Sequence, residues 1–390
     1  MSDETFLELE KAFQSGGAEA ALARLAEQFR EQGEYHALFD ARLMQARRRL
    51  GLPIILGAPL DELDEPVREQ VENAYLEACR EAGWLLWNGG NYREAWMYLR
   101  PLGENGPLVE ALARVEPNED VLPALIDIAL HQGVAPAHGY KLVLDHYGTC
   151  NAITAFDTEM GRHNRRQQQL AAEHLVRRLH EEVKTNLLAD ITRRGSTVTA
   201  SAPAKSLESQ SLPELLAGRD ELFAENNYHI DTSHLAATVR IARIVEDPTV
   251  LQLACELTEY GRRLSSTLQL TGDEPFEDVY PSHGLFFAAQ LGRQVDEALG
   301  YFHERAEGAD IDAVGTASAE TYIVLLVRLG RFKETMDTHI RLLPAGVTTT
   351  GSAPTLLELA RLCGDYDRLR TVCRERGDLL GFAAGMLAKG

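Results

Sequence analysis

The chain has 390 residues, of which 45% are hydrophobic and 25% charged, and its formal net charge is −20. This composition is typical of a globular protein with a large core, in one extended domain or several compact ones. So acidic a surface repels nucleic acids and anionic lipids. No apolar run is long enough for a membrane span, and the start MSDETFLELE does not have the pattern of a secretory signal. We therefore expect neither nucleic acid nor membrane as a partner.

Most segments carry apolar residues three and four positions apart, which is the spacing of an amphipathic helix. In chain order, the clearest of these segments are AALARLAEQF, VENAYLEACREAGWLLW, VLPALIDIAL and ETYIVLLVRL. Strand patterns are scarce. The sequence therefore predicts an all-α protein.

The longest predicted helix runs from about Thr158 to Arg194. It carries an apolar stripe at spacing four, with two further apolar residues beside it: Leu175, Leu179, Val183, Leu187 and Ile191, flanked by Val176 and Leu188. Asp157 or Thr158 can cap its start, and Gly195 can end it. At 1.5 Å per residue such a helix spans on the order of 50 Å, enough to brace several shorter helices.

One turn recurs along the chain: a helix ends at glycine, and an aromatic residue two positions later opens the next helix. The copies are QGEYHALF at Gly33, GGNYREAWMYL at Gly90, LGRFKETM at Gly330 and CGDYDRLR at Gly364, with LGRQVDEAL at Gly292 as a looser copy. The glycine supplies a left-handed backbone position between two antiparallel helices. We expect the aromatic residue to pack into the groove between them.

This pattern resembles the tetratricopeptide repeat (TPR) family. In the best copy, AGWLLWNGGNYREAWMYLRPLGENGP, Gly83 stands at the glycine of the first helix, Gly90, Tyr92 and Ala95 fit the turn and second helix, and Pro107 fits the closing proline. The resemblance implies stacked antiparallel helical hairpins, a TPR-like α-solenoid whose concave surface binds a peptide or a partner protein.

The other copies depart from the family pattern. Ala26, Ile323 and Leu357 stand where the best copy has Gly83, and only the separation from Gly330 to Gly364, 34 residues, equals the family's period. The resemblance covers about 1–110 and 285–390.

We therefore predict three segments. These are TPR-like hairpins over 1–135, a central helical insert without repeats over 136–284, and TPR-like hairpins over 285–390. The central segment contains the long helix and an exposed loop, STVTASAPAKSLESQSLP at 196–213, which is rich in small and polar residues.

The stretch NYHIDTSHL at 227–235 is the best candidate for chemistry. His229 and His234 are five positions apart and so do not share a helical face as the histidines of HExxH do. Asp231 is a good N-cap for the apolar helix that follows. With His229 before that helix and His234 in its first turn, the two imidazoles can converge, and Asp231 can join them in binding a zinc-like divalent ion if more ligands come from elsewhere.

Further ligands are available nearby in the chain. Glu159 and His163 share a face if the long helix begins there, and His146 lies just before it. Together these residues predict a metal-dependent or acid/base enzyme with a histidine-rich pocket. The alternative is structural, with Asp231 as a helix cap and the histidines bonded to backbone carbonyls.

A local excess of positive charge lies at 161–194, where eight Arg and Lys residues meet four acids. Arg162, Arg165 and Arg166 can bind a small anion, as in a regulatory protein that senses such a ligand. The same charges can instead lie on a solvated helix face or against an acidic surface of the same protein.

Other catalytic signatures are missing from the sequence. There is no GxSxG, SxxK or GxxxxGK[ST], and no alternation of strands and helices that would indicate a dinucleotide fold. The five cysteines are scattered without a CxxC pair, which suits buried, reduced thiols in the cytoplasm. We predict a cytoplasmic protein- or peptide-binding scaffold without a cofactor; whether the chain is an enzyme stays open, with a divalent metal expected in that case.

Overall fold

The computed structural model describes residues 3–54, 62–195 and 207–388. Every regular secondary-structure element named within these residues is a helix. A single isolated β-bridge joins Thr271 and Asp278 in this part of the chain. The prediction of an all-α protein is confirmed. None of the described helices is both long and apolar enough to cross a membrane. Most of the predicted loop at 196–213, residues 196–206, lies outside the described residues.

The chain forms two compact units, residues 1–143 and residues 144–390, and each is described by itself. The predicted division into three segments stays a prediction. In its described part the first unit has six helices and the beginning of a seventh: α1 (Asp3–Gln32), α2 (Tyr35–Arg49), α3 (Glu65–Asn88), α4 (Tyr92–Leu99), α5 (Asn105–Leu112), α6 (Leu122–Ile126) and α7 (Pro136–Thr158).

The second unit has the end of α7 and, among its described residues, twelve further helices. These are α8 (Arg165–Gly195), α9 (Leu212–Leu216), α10 (Thr232–Ile241), α11 (Pro248–Arg263), α12 (Val279–Gln290), α13 (Val295–Gly308), α14 (Ile311–Val314), α15 (Ala317–Arg328), α16 (Phe332–Leu342), α17 (Leu356–Cys363), α18 (Tyr366–Arg376) and α19 (Leu379–Leu387).

The recurring glycine turns each join two helices that contact one another. The φ angles of the turn glycines all lie in the left-handed region: 73° at Gly33, 81° at Gly90, 76° at Gly292, 72° at Gly330 and 72° at Gly364. The pairs they join are α1–α2, α3–α4, α12–α13, α15–α16 and α17–α18. The predicted turn conformation is confirmed, and the helices pack mainly against their sequential neighbours; a regular solenoid stays a prediction.

The aromatic residues after these glycines pack as expected in three of the turns. Tyr35 lies against the buried cluster of Ala26 and Leu38, and Tyr366 lies against the core around Met336. The ring of Tyr92 lies 4.7 Å from the larger ring system of Trp87 in α3.

At Gly83 the helices α3 and α4 approach closely. A Cβ atom at this position would lie 2.7 Å from Cδ2 of Leu99, so no larger residue fits without a shift of the leucine. This packing therefore favours glycine at position 83, as the repeat resemblance implies.

The helix α8 has the predicted stripe but begins later than predicted. Its buried face includes every predicted spacing-four residue: Leu175, Leu179, Val183, Leu187 and Ile191. The predicted start at Thr158 is wrong, because α7 ends there and a 3₁₀ turn at Met160–Arg162 intervenes. Asn164 caps α8 instead, since its Oδ1 accepts a hydrogen bond from the Gln167 N–H at 3.1 Å.

In the second unit, α8 supports a group of shorter helices. It contacts α10 and α11, and α12 packs against α11. Beside them lies an aromatic cluster of Phe276, Phe286 and Phe302, whose ring centroids are 5.4–5.7 Å apart. Phe276 and Phe286 of this cluster line the cavity described below.

All five cysteines are free. Cys79, Cys255 and Cys373 are buried as expected, whereas Cys150 is exposed. Cys150 lies just after a kink in α7 at Gly148, on a stretch where Tyr147 and Asn151 are also exposed.

Candidate functional site

His229 is buried within a set of hydrogen bonds that involve two helices of the second unit. Its Nε2 lies 3.3 Å from Oδ2 of Asp190 in α8, and its Nδ1 lies 3.2 Å from the hydroxyl of Tyr260 in α11. The backbone N–H of His229 donates to the same hydroxyl at 2.8 Å, and its carbonyl accepts from Nδ2 of Asn186 at 2.7 Å. We call these four residues the His229 network; all polar atoms of His229 have partners within it.

The pKa shifts in the His229 network indicate a neutral imidazole beside an ionised carboxylate. Burial lowers the pKa of His229, and the hydrogen bond to Asp190 offsets only part of this. Burial acts to raise the pKa of Asp190, but hydrogen bonds from Arg193, His229 and Arg194 bring it below its ordinary value. In this state Nε2–H of His229 donates to Asp190 and Nδ1 accepts from the Tyr260 hydroxyl.

Asp231 caps α10, as its position in the sequence predicts. Its Oδ1 accepts hydrogen bonds from the backbone N–H of Ser233 at 2.8 Å and of His234 at 3.1 Å. His234 lies in the first turn of α10 and is half-buried. The imidazole of His229 is bonded to α8 and α11, and His229 and Asp231 line one surface pocket whose lining residues do not include His234.

The remaining predicted metal ligands, Glu159, His163 and His146, each have a different setting in the structure. Glu159 forms an ion pair with Arg162, and His146 is exposed on α7. His163 lies in the link between the 3₁₀ turn and α8, so it does not share a helical face with Glu159. In the described part of the chain, no three His, Cys, Asp or Glu side chains are placed to hold a metal ion.

Of the three predicted anion-binding arginines, Arg165 lines the cavity described next, and Arg162 and Arg166 are not among the residues that line it. Arg162 pairs with Glu159, Arg166 lies 3.6 Å from the Glu173 carboxylate, and both arginines are exposed. Arg165, the first residue of α8, lines a cavity of about 860 Å³ in the second unit. We call this the arginine cavity.

Segments far apart in the chain form the walls of the arginine cavity. They include the end of α7, the start of α8, α10 with the turn that follows it, the loop at Phe276, α12, α15, residues 350–354 and the start of α17. Much of the lining is apolar: Phe156, Ile241, Ile244, Phe276, Phe286, Val324, Val327 and Pro354. Its charged lining consists of four arginines, Arg165, Arg240, Arg243 and Arg328, and two carboxylates, Glu246 and Glu358. The cavity is therefore positive in a chain whose net charge is −20.

Arg328 is buried at the end of α15, with 7% of its side chain exposed. Its Nη1 donates to Oε1 of Gln290 at 2.6 Å and to the Val245 carbonyl at 3.1 Å, and its guanidinium lies 5.6 Å from the ring centroid of Phe286. Its Nε–H is buried and has no acceptor among the described residues. Burial lowers the pKa of Arg328 to about 10, so its charge is incompletely compensated.

Arg243 lies in the 3₁₀ turn after α10, with its guanidinium 4.9 Å from the ring centroid of Phe276. Its Nε–H donates to the Arg240 carbonyl at 3.0 Å. Within the described part of the chain it forms no ion pair. Burial lowers the pKa of Arg243 to about 10; the charge of Arg240 adds to this effect, and the charge of Asp273 opposes it.

The other two arginines are paired to different degrees. Nη2 of Arg240 donates to both carboxylate oxygens of Asp157, at 2.9 and 2.8 Å. Arg165 and Arg328 share one oxygen of Glu246, at 3.4 and 3.8 Å respectively. Direct charge-assisted hydrogen bonds are about 2.7–2.9 Å long, so Glu246 is held loosely, and 52% of its side chain is exposed.

One buried carboxylate holds the wall formed by residues 350–353. Glu320 of α15 is fully buried and accepts hydrogen bonds from the hydroxyls of Thr316, Thr350 and Ser352 and from the backbone N–H groups of Thr350, Ser352 and Ala353, at 2.6–3.2 Å. Burial acts to raise the pKa of Glu320, whereas these hydrogen bonds bring it below its ordinary value. The wall is thereby fixed to α15.

The sequence pattern did not identify Arg240, Arg243 or Arg328 as site residues. A signal was present, because Arg328 interrupts the apolar run IVLLVRLG and Arg243 interrupts VRIARIV. An arginine inside an apolar stripe is rarely buried without a partner. No local pattern shows that these residues share a cavity with Arg165.

In comparisons with protein-family models, curated proteins and solved structures, no match to this chain was found. The interpretation of its site therefore depends on the geometry and charge of its own residues.

Proposed function

We propose that the chain is a protein- or peptide-binding helical scaffold, and that its second unit binds an acidic segment of a partner in the arginine cavity. The observation that carries this proposal is a pair of arginines, half-buried Arg243 and buried Arg328, neither of which has a close carboxylate partner among the described residues. They line a cavity that also has extensive apolar walls.

Burying a charged side chain costs solvation free energy. A guanidinium removed from water loses solvation free energy that only an anion or a full set of acceptors restores. Arg243 has no carboxylate at ion-pair distance within the described residues, although Asp273 attracts it from farther away, and Arg328 has one loose carboxylate contact. A bound carboxylate or phosphate supplies the missing partner, so binding recovers free energy that the unliganded fold has lost.

The dimensions and lining favour a peptide over a small inorganic anion. The volume of about 860 Å³ lies within the range of roughly 300–1,000 Å³ that is typical of cavities for organic ligands. Side chains such as Ile241, Val324 and Phe286 offer contacts for an apolar residue next to an acidic one. A segment that combines both matches the cavity. The alternative, a metal-dependent or acid/base enzyme, gains no support from His229, whose polar atoms are paired.

The test is a binding measurement with labelled peptides in which Glu alternates with Leu or Phe. Fluorescence anisotropy at low ionic strength should show binding that weakens as salt is added, because salt screens the charges. The same peptides with Gln in place of Glu should not bind.

Two neighbouring variants separate the cavity from general surface charge. Arg165→Gln removes a half-exposed cavity arginine and should weaken binding, whereas Arg166→Gln removes an exposed arginine outside the cavity and should not. The proposal is wrong if acidic peptides do not bind, or if both variants weaken binding equally.

A further inference from the structure

The geometry of the arginine cavity points to a more specific ligand: we propose that it recognises a phosphoryl dianion on the bound peptide, and that Glu246 occupies the phosphoryl position until the ligand displaces it. This inference depends on the proposed function and names the chemistry of its ligand.

Glu246 has the features expected of a side chain that occupies the phosphoryl position in the unliganded protein. A single oxygen of its carboxylate lies 3.4 Å from Nη2 of Arg165 and 3.8 Å from Nη2 of Arg328, so it bridges α8 and α15. Its side chain is 52% exposed, and the residue belongs to the short link between the turn Ala242–Ile244 and α11, so the carboxylate can turn into water at little cost. A ligand anion that replaces it gains both guanidiniums at once.

The charge balance favours a dianion. The bidentate contact with Asp157 neutralises Arg240. Once Glu246 has turned into solvent, the lining holds Arg165, Arg243 and Arg328 against the single carboxylate of Glu358, a surplus of two positive charges. Asp273, outside the lining, offsets part of the charge of Arg243. A phosphate monoester carries about −1.5 to −2 charges near neutral pH, whereas a carboxylate carries one and leaves a guanidinium unpaired.

The donors of the arginine cavity also suit the shape of a phosphoryl group. Guanidinium groups donate pairs of parallel hydrogen bonds, and the three oxygens of a phosphoryl group can accept several such pairs. Arg243 and Arg328 lie against Phe276 and Phe286, whose centroids are 5.7 Å apart, so two of the donors are held by packing before a ligand arrives.

The experiment compares phenyl phosphate with phenyl sulfate by isothermal titration calorimetry on the full chain. The two probes share a ring and a tetrahedral ester group but carry two charges and one charge, respectively, at about pH 8. Wild type should bind phenyl phosphate at least about tenfold more tightly, since a charged hydrogen bond contributes about that factor. Arg165→Gln should weaken the binding of phenyl phosphate by a similar factor.

Variants at two glutamates test the role of Glu246. Glu246→Gln removes the internal anion and should bind phenyl phosphate several-fold more tightly than wild type. The matched control Glu110→Gln removes the same charge from an exposed pair with Arg114 in the first unit and should bind like wild type. Circular dichroism checks that each variant keeps its helices.

The outcomes distinguish this inference from the proposed function. Equal affinity for the two probes overturns the phosphoryl assignment, and equal affinities of Glu246→Gln and Glu110→Gln overturn the role of Glu246. If neither probe binds a protein that binds acidic peptides, only the inference is overturned. If acidic peptides fail as well, the proposed function is overturned with it.

Discussion

The His229 network and the arginine cavity both bury polar groups in the second unit, and they do so in opposite ways. In the network, the side chain and backbone of His229 are bonded to Asp190, Tyr260 and Asn186. In the cavity, the Nε–H of Arg328 has no acceptor among the described residues, and Arg243 forms no ion pair there. We therefore expect the degree of hydrogen-bond saturation, more than residue type, to separate a structural cluster from the proposed ligand site.

This difference has an energetic consequence. Removing one member of a saturated buried network leaves its partners unsatisfied, which costs more than the lost bond itself. Removing a charge that the fold does not compensate costs little stability. Substitutions in the two regions should therefore separate stability from binding, and the effects below run from the largest expected to the smallest.

Asp190→Ala should lower the free energy of unfolding by about 3 kcal/mol, because it leaves the buried His229 imidazole without its carboxylate partner and removes the acceptor of Arg193 and Arg194. Urea unfolding followed by circular dichroism measures this. Asp337→Ala, which removes an exposed acid paired with Arg368, should cost less than about 1 kcal/mol. Similar losses in the two variants would contradict a saturated, structural network.

His283 extends the comparison to a buried group that is only half satisfied. Its Nδ1–H donates to the Val279 carbonyl at 2.6 Å, whereas its Nε2 is buried without a partner among the described residues. Burial lowers the pKa of His283 to about 3, so the unfolded chain takes up a proton near pH 6.5 that the folded protein does not. The contribution of His283 to stability is therefore lost progressively as the pH falls below about 6.5. By pH 5 this loss amounts to about 2 kcal/mol of unfolding free energy.

Unfolding of wild type and His283→Phe between about pH 8 and pH 5 tests this effect. The variant should lose about 2 kcal/mol less than wild type over that interval. The expectation is wrong if His283→Phe and wild type lose equal stability.

Two buried tyrosines give the third prediction. Tyr260→Phe removes the hydroxyl that accepts from the His229 N–H and should cost about 1.5 kcal/mol. Tyr280→Phe removes a buried hydroxyl that has no partner among the described residues, and should leave stability unchanged or raise it. Thermal and urea unfolding of both variants check the contrast. Equal losses of unfolding free energy in the two variants would show that the presence of a hydrogen-bond partner does not decide the cost.

The smallest expected change in stability is in the cavity. Arg243→Met should keep the free energy of unfolding within about 1 kcal/mol of wild type, since the lost contact with Phe276 is offset by removal of an uncompensated charge. Binding of acidic peptides should fall by about tenfold or more.

Arg305 provides the control for this prediction. Its guanidinium lies 4.5 Å from the ring centroid of Tyr301, as Arg243 lies over Phe276, but it also pairs with Glu274 at 2.7 Å. Arg305→Met should therefore cost more stability than Arg243→Met and leave peptide binding unchanged. A larger stability loss at Arg243 would indicate that the cavity arginines are structural.

Much of the helical organisation could be predicted from sequence, because it depends on residues a few positions apart. The glycine turns at Gly33 and Gly364, the cap at Asp231 and the stripe of α8 all follow from local backbone and periodicity. The start of α8 was missed because Asn164 and the preceding 3₁₀ turn offer a cap as good as Asp157 or Thr158, and Asp157 is paired with Arg240 instead.

The candidate site was predicted only in part. Arg165 was identified from local charge, but its cavity neighbours Arg243 and Arg328 were not, since each lies in a different apolar segment. His229 was identified as a residue that needs partners, yet its partners turned out to be Asp190 and Tyr260. Residue types showed where polar groups lie but not which groups they meet.

Local sequence patterns suffice to predict the helical class, the positions of the turns and the buried face of α8. Hydrophobic periodicity and glycine conformation depend only on residues a few positions apart. The tertiary structure alone decided that His229 is saturated by α8 and α11, and that three arginines from distant segments line one cavity. Both outcomes depend on contacts between residues far apart in the chain. Whether a buried polar group is satisfied depends on the neighbours that folding brings to it.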